Sequence, residues 1–125
     1  MILKKGCRIK LTDMRFHAFH GVFEQERVVG NTFVVNLDIQ MDFLQAALTD
    51  ELNATISYAD LYEVVKEEMA KPSKLLENVA GRILNRLADE FEEIQDITLE
   101  VAKLNPPFGG DVKSASVVME YVRKL

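Results

Sequence analysis

Cysteine occurs once in the 125 residues, at Cys7, so no internal disulfide can staple the chain. A lone thiol is more often a small buried hydrophobe than a nucleophile, and a structural role is expected for it. Concentrated positive charge is missing as well: 15 Lys and Arg stand against 20 Asp and Glu, for a formal net charge of −5. Nucleic acids and anionic membrane surfaces both demand clustered Lys and Arg, so neither is an expected partner. No apolar run approaches the roughly 18 residues of a membrane span. Charge also interrupts the N-terminal MILKKGCRIK before a signal-peptide core could form, so a cytoplasmic protein is expected. There is no nucleophile elbow of the G-x-S-x-G type, no Walker A loop and no G-x-G-x-x-G turn. His17 and His20 are the only histidines. Three residues apart on a strand they would face opposite ways, and a catalytic zinc needs three protein ligands, so no metal is expected.

With 48% of residues hydrophobic and 28% charged, the chain has an ordinary globular composition. Its length suits a single domain over residues 1–125, large enough to bury a core without a disulfide or a metal.

Alternation of apolar and polar residues from Phe33 to Phe43 predicts a long half-buried strand, with Asn36, Asp38, Gln40 and Asp42 on its polar side. Upstream, Ile9 and Leu11 share one phase while Met14, Phe16 and Ala18 share the other. That reading puts a bulge near Thr12 and Asp13. The segment from His20 to Thr32 is too long for a tight hairpin, and connections of that length often carry chemistry. Ser57 followed by Asp60 resembles a capping box opening a helix that Pro72 must end. A second helix follows from the spacing of Leu76, Val79, Ala80, Ile83, Leu84, Leu87, Ala88 and Phe91, with Asn78, Arg82, Asn85, Arg86 and Asp89 left for water. Ile97, Leu99 and Val101 mark a third strand, and Val117, Met119 and Tyr121 a fourth. A Pro- and Gly-containing loop from Leu104 to Lys113 joins them. The expected fold is α+β in the order ββααββ: an antiparallel four-stranded sheet with two helices on one face. Its other face, bearing Asn36, Asp38, Gln40, Thr98 and Glu100, would look at water or into the lumen of a barrel built from several subunits.

Four side chains stand out chemically, each with a plain alternative. Lys103 continues the apolar phase of Ile97, Leu99 and Val101, which would partly desolvate its amine and suit it to acid/base work. It could equally snorkel past the strand end to water. Glu77 falls in the first turn of the second helix, where a carboxylate can grip paired N–H donors or simply match the helix dipole. Glu26 lies in the long loop beside Glu24 and Arg27 and could be a solvated charge. Tyr58 opens the first helix, where its hydroxyl could pass a proton or bridge water.

Taken in order, the segments beginning FHAFHGVFEQERVV, TDELNATISYADL, LLENVAGRIL and VAKLNPP resemble dihydroneopterin aldolase, an enzyme family of folate biosynthesis. The most specific pieces are His20-Gly21 with Glu26 five residues on, Tyr58 after Ile56-Ser57, the pair Leu76-Glu77, and Lys103-Leu104-Asn105-Pro106-Pro107. The resemblance implies the tunnelling fold (T-fold), in which subunits join their sheets into a barrel. It implies a homo-oligomer as well, a tetrameric ring or two such rings paired into a homo-octamer, with pockets at subunit junctions. It implies a lyase that cleaves 7,8-dihydroneopterin by a retro-aldol reaction, giving 6-hydroxymethyl-7,8-dihydropterin and glycolaldehyde, with no metal, no Schiff base and no cofactor. Carried over by position, Glu77 would hold the amino-pyrimidinone edge of the pterin with Leu76 beside it. Glu26 would bind the hydroxylated side chain, Lys103 would be the general acid/base and Tyr58 would assist proton transfer. Many relatives follow the double proline differently from Phe108-Gly109-Gly110, so loop contacts there are not carried over. Epimerisation of the same side chain could accompany the cleavage as a second activity; the competing expectations are a dihydroneopterin or dihydroneopterin triphosphate epimerase, and a non-catalytic pterin-binding oligomer. A triphosphate would want clustered cations, where the loops offer only Arg27 and Lys113. The zinc-dependent pyruvoyl-tetrahydropterin synthases would need a histidine triad.

Overall fold

The computed structural model of the chain describes residues 2–4 and 6–124. Four strands, β1 (Arg8–Ala18), β2 (Asn31–Gln40), β3 (Asp96–Leu104) and β4 (Ser114–Val122), form one antiparallel sheet in the order β1-β2-β3-β4. Period-two alternation decides which side is buried. Phe33, Val35, Leu37 and Ile39 of β2, with Ile97, Leu99 and Val101 of β3, are shut away from water on one face.

Two long helices cover that face. In α3 (Tyr58–Met69), Leu61, Val64, Val65 and Met69 are buried; in α4 (Leu76–Glu90), Val79, Ala80, Ile83, Leu84 and Leu87 are. Each Val, Leu, Ile or Met among them stabilises the fold by roughly 1.5–3 kcal/mol relative to exposure, which is what holds short helices on a short sheet. The numbering is completed by α1 (Glu24–Val29) and α2 (Leu44–Thr49), two helices of six residues, and one 3-10 turn spans Leu52–Ala54.

The bulge in β1 is present. Pairing jumps from Leu11 opposite Leu37 to Met14 opposite Val35, and Asp13 adopts φ 65° with its N–H donated to the Asn36 Oδ1 at 2.7 Å. The extra residue flips the phase, so Ile9, Leu11, Met14 and Phe16 all reach the same core.

Several expectations need correction. The second strand stops at Gln40, and Phe43 instead precedes α2; alternation continued past the strand because Met41 still packs into the core. The long connection between the first two strands contains α1, too short to declare itself by periodicity. Ser57 does precede α3, but its side chain makes no capping bond; only its carbonyl accepts, from Asp60 and Leu61. Arg82 and Arg86 do not simply face water. Both turn onto Glu68 of α3, which is 2% exposed: Arg82 Nη1 lies 2.7 Å from Oε1, and Arg86 Nη1 and Lys71 Nζ each lie 3.0 Å from Oε2. Burial pushes the Glu68 pKa up, but the hydrogen bonds from Lys71, Arg86 and Arg82 win and hold it at about 2.

The polar face is as expected. Asn36, Asp38, Gln40, Thr98 and Glu100 are half-buried on the side away from the helices, where Arg8 bridges Asp38 (2.7 Å) and Asp96 (2.9 Å). No helix among the described residues is long and apolar enough to cross a membrane.

Candidate active site

The antiparallel register sets Phe16, Phe33, Lys103 and Ala115 in one row across the sheet, on the helix-covered side. Lys103 is thus the last residue of the buried phase of β3, as its spacing predicts. Its ammonium stands 5.9 Å above the Phe33 ring and only 14% of its side chain is exposed. Phe33 alone could not satisfy such a cation. Glu26 does: its Oε2 lies 2.7 Å from Lys103 Nζ, and its own side chain is 17% exposed.

Glu26 reaches that position because of the helix it belongs to. It sits in the first turn of α1, and its Oε1 accepts the Phe23 N–H at 3.3 Å, a local brace at the helix start. The preceding residues are pinned from both sides. Arg27 Nη1 donates to the carbonyls of Gly21 (2.7 Å) and Val22 (2.9 Å), and the Gly21 N–H donates to the Ser73 carbonyl at 2.9 Å. Gly21 must be glycine, since a Cβ there would lie 2.4 Å from that of Glu26. The hydrogen bond from Lys103 pulls the Glu26 pKa below the ordinary carboxylate value; burial opposes it, and the Phe23 N–H and the charges of Lys103 and Arg27 assist.

Glu26, Lys103 and Leu76 line one cleft of about 250 Å³, together with Val22, Phe23, Pro106, Pro107, Phe108 and Ala115. A second hollow of about 370 Å³ opens on the other side of Glu26, along Phe23, Val29, Asn31 and Pro107. Asn31 fixes the rim by donating from Nδ2 to the Leu104 carbonyl at 3.0 Å. Glu77 follows Leu76 in the first turn of α4, exposed, with no side-chain partner among the described residues. A carboxylate in that setting is free to accept two N–H donors from a bound molecule.

Tyr58 is not brought to this cleft. It is 67% exposed at the start of α3 and borders a separate groove of about 590 Å³ with Ile9, Phe43, Leu52 and Ile56. Ile9 pairs with Ile39, whereas Lys103 pairs with Phe33, six positions along β2. At about 3.3 Å per residue, the two sites lie roughly 20 Å apart along the strands. Within the chain, therefore, four of the five sequence-derived site residues gather at one end of the sheet and the fifth lies at the other.

His20 was visible in the sequence only as part of a motif, and the structure shows why it matters locally. It is 1% exposed, its ring meets Phe33 edge-on at 5.1 Å, and its Nδ1 accepts the Ser73 N–H at 3.1 Å. Nδ1 as acceptor makes the ring neutral with its proton on Nε2, which has no well-formed hydrogen bond. Burial, then the charge of Arg82 and to a smaller extent that of Lys103 lower its pKa to about 4, with the Met69 carbonyl opposing them.

The family model for dihydroneopterin aldolase matches residues 9–120, a span containing every residue of this cleft. The chain belongs to the dihydroneopterin aldolase family. It is 38% identical to the dihydroneopterin aldolase of Bacillus subtilis over 118 residues, covering 94% of this chain and 97% of that one. Identity to the Streptococcus pyogenes dihydroneopterin aldolase is 33%, with 93% and 98% covered. The fold superposes on the Escherichia coli dihydroneopterin aldolase, solved in complex with neopterin, with a TM-score of 0.84 at 21% identity, covering 92% of this chain and 98% of that one. The expected subunit fold, a four-stranded antiparallel sheet with two helices on one face, is thus the fold observed, with two short helices in this dihydroneopterin aldolase family member added to the expected pair.

Proposed function

We propose that the protein cleaves 7,8-dihydroneopterin by a retro-aldol reaction, releasing glycolaldehyde and leaving 6-hydroxymethyl-7,8-dihydropterin. The observation that carries the reading is the well-shielded Lys103–Glu26 pair, 2.7 Å apart, in a cleft it shares with Leu76 and next to Glu77, which has no side-chain partner among the described residues. The family name points to the substrate, and the geometry is compatible with the following division of labour.

Cleavage requires a base for the hydroxyl on the carbon that becomes the aldehyde, a sink for the electrons of the breaking carbon–carbon bond, and an acid to protonate the carbon left behind. The dihydropterin C=N bond is the sink, so the protein need not provide one. Glu77 and the backbone beside Leu76 hold the amino-pyrimidinone edge through paired N–H donors. Glu26 accepts from the hydroxylated side chain and aims it at Lys103. The Lys103 amine, directly or through one water, takes the hydroxyl proton and then returns a proton to the new carbanion-like carbon. Glu26, whose pKa is held low, stays ionised and pairs with the ammonium that Lys103 becomes between the two transfers; the free amine that starts the cycle forms by release of a proton to water.

Tyr58 reaches such a pocket only from a second copy of the chain. In the proposed assembly the β1 and β4 edges pair between subunits, the sheets close into a barrel with the polar face inside, and the Tyr58 groove of one subunit meets the Lys103 cleft of the next. Rings of four pairing into an octamer in the cytoplasm are the expected form. The triphosphate epimerase is disfavoured by Arg27, whose Nη1 is already committed to two carbonyls.

Incubation with 7,8-dihydroneopterin tests the reading, with glycolaldehyde and hydroxymethyldihydropterin both followed. Stoichiometric appearance of the two is expected. A changed side-chain stereocentre without glycolaldehyde would select an epimerase, and tight pterin binding with no product would leave a binding module.

A further inference from the structure

Two chain segments that never meet in sequence are buttoned together beside the cleft. Ser73, in the connection between α3 and α4, donates its N–H to His20 Nδ1 at 3.1 Å and accepts the Gly21 N–H on its carbonyl at 2.9 Å. The Ser73 side is itself anchored. Arg82 donates from Nη2 to Ser73 Oγ (2.8 Å) and the Lys71 carbonyl (2.9 Å), and from Nη1 to buried Glu68. From this clasp the chain runs three residues forward to Leu76 and, on the other segment, five residues from Gly21 to Glu26. Both arms are short, so a shift at the clasp moves both sides of the cleft. His20 also backs the third group: its ring abuts Phe33, over which the Lys103 ammonium sits.

We propose that His20 is a positioning residue whose clasp on Ser73 sets the separation between the acid/base pair Glu26–Lys103 and the ring-holding edge Leu76–Glu77. The proposal rests on the functional reading of those four residues. A neutral imidazole suits the task because it accepts a backbone N–H on one nitrogen while presenting a flat edge to an aromatic ring. Leucine would fill the space and leave the Ser73 N–H unpaired. A mismatch of about 1 Å between the ring-holding and reacting ends is enough to cost on the order of a hundredfold in rate.

The test compares two measurements on each variant. Guanine shares the amino-pyrimidinone edge but has no hydroxylated tail, so its Kd reads the Glu77 side alone. The kcat for 7,8-dihydroneopterin reads the alignment of both ends. In His20→Leu, kcat should fall by about ten- to a hundredfold while the guanine Kd stays within about threefold. His20→Asn, whose side-chain carbonyl falls near the Nδ1 position, should restore most of the lost turnover. His20→Gln, whose carbonyl falls near Nε2, should not. If His20→Leu does not fold, the Asn and Gln pair carries the test: about tenfold higher kcat in Asn supports the clasp, and equal kcat overturns it. Loss of guanine binding in step with turnover, or unchanged kcat in His20→Leu, also overturns it. Absence of glycolaldehyde from the unmutated protein is a different result, which sinks the functional reading and the positioning role together.

Discussion

Lys103 Nζ and Glu26 Oε2 lie 2.7 Å apart although 77 residues separate them in the chain. One comes from the end of β3 and the other from the first turn of α1, so the pair exists only when the β2–β3 register and the α1 brace are both correct. An ion pair this shielded is held by its surroundings, and each partner's role can be read by removing it.

Lys103→Ala should lower kcat for dihydroneopterin by at least about a hundredfold with little change in pterin affinity, since in the proposed mechanism the amine moves protons that pterin binding does not require. Glu77→Ala should do the reverse, raising the guanine Kd by about tenfold or more. Steady-state kinetics and calorimetry on both variants check the split, and equal losses of binding and turnover in each would contradict it.

Tyr58 yields a prediction about assembly. Tyr58→Phe and Lys103→Ala should each be poorly active, yet mixing them through a reversible unfolding and refolding step should recover part of the activity. A junction with Lys103 from one subunit and Tyr58 from its neighbour is then intact. Activity that stays at the sum of the separate variants would mean that no pocket is shared.

Gly21→Ala places a methyl group 2.4 Å from the Glu26 Cβ. Either Glu26 swings off Lys103 or the loop lifts away from Ser73, and both should reduce turnover at least tenfold at a stability cost of about 1–3 kcal/mol. Urea unfolding and turnover measured on the same preparation separate the two losses. Wild-type activity would show that Glu26 need not stand where it does.

His20 gives stability a pH dependence with a definite sign. Its folded pKa of about 4 lies below the ordinary 6.5, so as pH falls the unfolded chain takes the proton first. Its contribution is complete above about pH 6.5 and is lost between there and pH 4, with a slope of up to about 1.4 kcal/mol per pH unit. Glu68 and Glu26, held below their ordinary 4.5, extend the loss at lower pH. Urea midpoints at pH 7, 6 and 5 should fall steadily, and more weakly in His20→Asn; an identical profile in that variant would remove His20 as the source.

The sequence by itself determined the elements with a strong repeat: the alternation of β2 and β3, the bulge in β1, the apolar stripe of α4 and the phase that carries Lys103 into the core. These depend on local periodicity, which a linear chain displays. It also carried the motif residues Glu26, Tyr58, Leu76, Glu77 and Lys103 in order. Tertiary structure decided how they are placed. That Glu26 pairs with Lys103, that Arg82 and Arg86 turn inward onto Glu68, and that His20 buttons Gly21's loop to Ser73 all follow from which segments the folded sheet and helices bring within hydrogen-bond range. A shielded charge or a buried imidazole then takes whatever partner is there, because leaving it unpaired costs more than any local preference. The distance from Tyr58 to Lys103 has the same origin: it is set by strand register, and no spacing along the chain reveals that the two residues lie at opposite ends of one sheet.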